Sequence, residues 1–280
     1  MPRRAPSPTK SASASKSRRS RSKARKAAAP RRAREGRLKV AAGLDASLLE
    51  TPVPTRWVKL VVAIFLLPFT LVITQTFFTA FARTALHEAF WATEEFWFFS
   101  LGVVLWLIAF FGLPRPLWLY VFGHELTHAL TVWLMGGRVK QFKVSARGGY
   151  IVTNRVNTWI ALSPYFLPIY SVLAIVLYGI VSAFYDLYEW RMILYAIIGL
   201  TWAFHLTFTL WMIPRGQSDL EYGGSFFSIV LIYLMNLLIV SGLLIAASPG
   251  VTLLSFGREL LQNAVDFTAL ITSLVRWSPQ

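Results

Sequence analysis

Residues 117–135, LWLYVFGHELTHALTVWLM, decide how this chain is read. They form a largely apolar run, long enough to approach a membrane crossing, with two histidines and a glutamate at its middle. His124 and His128 are four residues apart, so on a helix they project from one face, one turn above the other. That spacing lets two imidazoles hold one Zn²⁺, and Glu125 can reach the metal-bound water as general base. An ionised side chain at that depth costs ~2.5–3.5 kcal/mol on insertion scales, so it needs a partner or a task. Two of the four histidines in the chain fall at ligand spacing around it.

Cysteine is absent, which removes disulfides and thiolate metal sites and leaves histidine and carboxylate as the only ligand types. A catalytic zinc wants a third protein ligand and an open position. Asp219, in QSDLEYGG at 217–224, is the first candidate, and Glu221 and His205 are alternatives. His205 lies inside an apolar run. It reads either as a hydrogen-bonded interior histidine or as a group that holds substrate or stabilises an oxyanion. His87 with Glu88 has no second histidine at useful spacing.

Outward from the motif, hydrophobic residues make up 55% of the chain and charged residues 15%, against roughly 25% charged in an ordinary globular protein. Apolar runs at 60–81, 96–113, 117–135, 159–184, 192–213 and 226–247 predict an all-α membrane protein with about six transmembrane helices in a domain at 56–248. Pro68 interrupts the first run, and Ser163-Pro164 and Pro168 break the fourth near its start. Partial alternation at 138–144, a turn at 145–149 and the strand formers of 150–153 predict a short β-hairpin after the motif helix. Residues 249–280 place apolar side chains at helical spacing opposite a polar face. They predict a C-terminal amphipathic helix on the membrane surface or against the bundle.

The net charge of +15 is uneven: residues 1–39 hold fifteen of the 28 Lys and Arg against Glu35 alone. Residues 1–55 therefore read as a disordered basic tail, in contact with anionic lipid or weakly with nucleic acid. Its charge puts the N-terminus in the cytoplasm, at the cell membrane. Six crossings then leave the hairpin outside. Yet it carries Arg138, Lys140, Lys143, Arg147 and Arg155 and no acid, against the positive-inside rule. Either one apolar segment before the motif is re-entrant or the hairpin dips into the membrane.

The string FGHELTHAL at 122–130, then Gly136-Gly137-Arg138-Val139 and a hairpin, resembles the site-2 protease family of intramembrane zinc metalloproteases. The resemblance covers about 117–247. It implies His124, His128 and Asp219 as zinc ligands and Glu125 as general base. It also implies an endopeptidase that cuts membrane-embedded protein substrates within the lipid bilayer. Two departures mark a divergent branch. Thr127 stands where a glycine is usual, and Asp219 follows Pro214 with its glycines four residues later, not at once. The rival expectation is a non-proteolytic zinc protein that binds or escorts other membrane proteins. A transporter is disfavoured by the lack of duplicated halves.

Overall fold

The computed structural model describes residues 55–87, 90–145, 148–222, 224–248 and 250–276. The expected basic tail lies outside them apart from its last residue. Helix α1 spans Thr55–His87 and runs through Pro68. Thr70, Thr74, Thr76, Thr79 and Thr84 return their hydroxyls to the preceding turn, Thr70 to Leu66 O at 2.7 Å, so these five are not left bare among apolar neighbours. Helix α2, Glu94–Gly112, starts on Thr93, whose side chain accepts from the Phe96 amide. Glu94 and Glu95 sit against the positive end of its dipole. The turn Leu113 to Pro116 then delivers α3, Leu117–Leu134, the motif helix.

Helix α3 stops in a two-glycine cap. Gly136 adopts φ +71°, its amide bonds Trp133 O at 2.9 Å, and the Gly137 amide bonds Val132 O at 2.8 Å. A Cβ on Gly137 would lie 2.7 Å from Val132 Cγ1. The chain then turns back along α3 as the expected hairpin. Strand β1, Val139–Ser145, pairs antiparallel with β2, Gly148–Thr153, with an irregularity between Val139 and Gln141. The hairpin lies on the helix: the Phe142 ring meets Phe122, and Val144 packs on the Tyr120–Phe208 cluster.

The fourth apolar run is broken where its prolines fall. Helix α4, Thr158–Leu162, and a single 3-10 turn at Ser163–Tyr165 meet α5, Ile169–Ser182, at a bend of 83°. Helix α6, Arg191–Met212, ends in a 3-10 turn at Ile213–Arg215. Gly216 at φ +73° turns the chain into the short α7, Ser218–Tyr222. Helix α8, Ser225–Ala247, and α9, Leu253–Arg276, are the last described elements.

Among the described residues, four helical stretches are long and apolar enough to cross a membrane, Trp57–Leu86, Glu94–Gly112, Tyr188–Arg215 and Ser225–Ala247, or five with the bent α4–α5 pair. The motif helix has the length but not the hydropathy, because His124, Glu125, His128, Thr127 and Thr131 dilute it. By length and composition the number is thus four or five where about six were expected. Large apolar side chains such as Phe65, Phe111 and Leu210 stand more than two-thirds exposed on these helices, as lipid-facing side chains do.

Helices α2 and α6 run parallel and touch backbone to backbone. A Cβ on Gly102 would sit 1.9 Å from Ala196 O, and one on Gly199 would sit 2.0 Å from Phe99 O. Further along, Trp106 donates to Thr207 at 2.8 Å and Arg115 stacks on Trp211, so both helices end on one side. The segment between them starts and finishes on the other side. Asn157 contacts Met135 at the end of α3, Tyr170 reaches back to Leu119 O at 2.6 Å, and Tyr178 bonds Leu187 O just before α6. The two ends of the bent α4–α5 pair therefore lie on the same side of the bundle. Helix α9 runs antiparallel along α1. Arg83 pairs Glu259 at 2.8 Å, and the buried Asn263 donates to Thr76 at 2.9 Å.

Candidate metal centre

Three segments far apart in sequence meet at one point. The α3 face carries His124 and His128, α4 and its 3-10 turn pass beneath them, and α7 returns Asp219 from above. His124 Nε2 lies 3.1 Å from Asp219 Oδ2 and His128 Nε2 lies 3.6 Å from the same oxygen. One ligand atom of each residue falls within 4.8 Å of the other two. A tetrahedral zinc with bonds of ~2.1 Å sets its ligand atoms about 3.4 Å apart, so these donors fit the ion. Asp219, not Glu221 or His205, is the acid or imidazole that joins the two motif histidines.

The surroundings orient the donors. His128 Nδ1 donates to Ile160 O at 2.7 Å; a carbonyl only accepts, so the proton sits on Nδ1 and the Nε2 lone pair points at Asp219. His124 Nδ1 meets the Tyr120 hydroxyl at 3.3 Å. Tyr165 donates to Asp219 Oδ2 at 3.1 Å, and Leu220 anchors α7 in the Leu162–Tyr165 cluster. The two histidine side chains are less than a tenth exposed, whereas Asp219 keeps 24%, so the site opens on the Asp219 side.

Glu125 is buried against the hairpin. A Cβ on Gly149 would lie 2.6 Å from its Cγ and 2.9 Å from Oε1, so only glycine lets β2 pass this close. Gly123 does the same on the far side of α3, where a Cβ would meet the Tyr170 ring at 2.7 Å. His205 is also buried but stands outside the three-residue group, across a small cavity from His124.

The sequence did not single out Tyr120, Tyr165, Ile160 O or Gly149. Tyr120 had a signal, since it precedes His124 by four on the same helical face. The others are set by tertiary contacts and have no local signature. Together these features define a mostly helical membrane protein with a small hairpin and a His-His-Asp group at metal-binding distance. No family model, no curated protein and no solved structure matches the chain.

Proposed function

We propose that the chain is an intramembrane zinc metalloendopeptidase of the site-2 protease kind, acting on membrane-embedded protein substrates. The observation that carries the reading is the meeting of His124, His128 and Asp219 on one point with Glu125 as the next residue in the helix. Zinc in that position supplies a Lewis acid and lowers the pKa of water to about 7. Glu125 takes the proton of the attacking water and passes it to the leaving amine as the C–N bond breaks. The water oxygen remains on the new carboxyl group. A transmembrane substrate must first unwind, because a helix hides its carbonyls in its own hydrogen bonds. The free edge of the hairpin can pair with the extended segment as an added strand.

The parallel run of α2 and α6 supports a topology of five crossings, α1, α2, α3, α6 and α8, with α4–α5 re-entrant. The end that carries Arg115 and Arg215 then faces the cytoplasm together with the basic tail, as the positive-inside rule asks. The tail meets anionic lipid there. The hairpin escapes the rule because it lies along α3 within the membrane domain. Helix α9 is amphipathic, with its polar residues turned in part onto α1.

The test is zinc content and cleavage of a co-expressed single-pass membrane protein by wild type, Glu125→Gln and Asp219→Asn. Glu125→Gln should keep its zinc and lose cleavage by about 10²–10⁴-fold; cleavage at the wild-type rate sinks the mechanism. Asp219→Asn should lose zinc as well. A second reading, a zinc protein that binds or escorts membrane proteins without cutting them, draws support from Gly149 pressed against Glu125. Wild type that holds zinc but cleaves no substrate decides for it.

A further inference from the structure

His205 is a buried ionisable group near the centre that the proposed chemistry does not use. It is 8% exposed, and its Nε2 has no hydrogen-bond partner. A buried nitrogen of this kind left unpaired is costly and calls for a partner. The ring lines a cavity of about 20 Å³ together with Tyr120, His124, Thr127 and Tyr170. A site that size, with two to four polar neighbours, takes one water and little else. His128, Asp219 and Glu125 are not among its walls. The cavity therefore backs onto His124 from the side where Nδ1 meets the Tyr120 hydroxyl.

That contact is ambiguous on its own. If Tyr120 donates to Nδ1, the His124 proton sits on Nε2 and the nitrogen facing Asp219 cannot bind a metal. If Tyr120 accepts from Nδ1, the Nε2 lone pair is free. We propose that one water in this cavity bridges His205 Nε2 and the Tyr120 hydroxyl, and that His205 is thereby a positioning residue that fixes the metal-binding tautomer of His124. The direction follows from the metal end. A metal on His124 Nε2 puts the His124 proton on Nδ1, so the Tyr120 hydroxyl accepts there and needs an acceptor for its own proton. The unpartnered His205 Nε2 lines the same cavity and supplies it: the water accepts from Tyr120 and donates to Nε2. A carbonyl sets His128 directly at 2.7 Å, and His205 sets His124 through the water and the hydroxyl.

The inference rests on the proposed metal site but not on proteolysis, so its test reads metal binding alone. Co²⁺ and Zn²⁺ are titrated into the detergent-solubilised full chain for wild type, His205→Leu, His205→Gln and Tyr120→Phe, with the visible Co²⁺ bands recorded. Loss of such an outer hydrogen bond lowers metal affinity about 10–100-fold. His205→Leu and Tyr120→Phe should each do so with altered Co²⁺ bands, and the double variant should be no weaker than the worse single. His205→Gln, which keeps an acceptor, should stay within about threefold of wild type. Wild-type affinity in His205→Leu overturns the proposal, as does equal loss in the Leu and Gln variants. If His205→Leu does not fold, unchanged affinity in Tyr120→Phe overturns it in its place. A metal-binding wild type that cleaves nothing refutes only the peptidase reading; a wild type that binds no metal refutes both.

Discussion

Gly149 shows how narrow the tolerance around Glu125 is. Replacing it with alanine adds a Cβ that would lie 2.6 Å from Glu125 Cγ and 2.8 Å from Lys143 O, so the glutamate must swing or the hairpin must lift. A displacement of about 1 Å near reacting atoms costs about 10²-fold in rate. Gly149→Ala should accordingly keep full zinc content and lose cleavage by at least tenfold, checked by metal analysis and a cleavage assay on the same preparation. Asp219→Asn should lose zinc, because an amide oxygen cannot replace the carboxylate charge that His124 and His128 share. At this scale the sequence was informative where chemistry demands rare residues. Two histidines and an acid in an apolar run have few other reasons to be there. It left the third ligand open among Asp219, Glu221 and His205, because that choice depends on how a turn at Gly216 aims the chain.

Among the elements, the hairpin and the breaks at Pro164 and Pro168 were legible, since glycine and proline constrain the backbone wherever they fall. The seam between α2 and α6 was not. A glycine within an apolar run has no signature until its neighbour is known, and Gly102 and Gly199 each owe their identity to a carbonyl about 2 Å from where a Cβ would be. Gly199→Val should force the helices apart and cost at least the 1–3 kcal/mol of overpacking. Thermal unfolding in detergent should show a lowered midpoint, with Gly179→Val, which has open space, as the unaffected control. The cap on α3 predicts a smaller effect. Gly136→Ala, at φ +71°, should cost about 1 kcal/mol and loosen the start of the hairpin.

For the whole molecule, hydropathy finds apolar runs but cannot say which of them cross. The fourth run, 159–184, has the length of a span and bends by 83° instead. Only the parallel pairing of α2 with α6 shows that both of its ends share a side. The chain contains no cysteine, so single cysteines report topology without background. Cysteine at Tyr185 and at Thr252 should react with an impermeant reagent from outside the cell, and cysteine at Leu113 and Gly216 only from within. Labelling of Tyr185 from the cytoplasm would restore a sixth crossing.

The bent pair has a mechanical consequence. It is a cantilever: both roots lie at one face, and the tip is held by the packing of Leu162, Tyr165 and Phe166 and by side-chain hydrogen bonds. Tyr165 bonds Asp219, Asn236 bonds Tyr165 O and Tyr170 bonds Leu119 O. Because the tip carries the hydroxyl that grips Asp219, lifting the beam and slackening Asp219 are one movement.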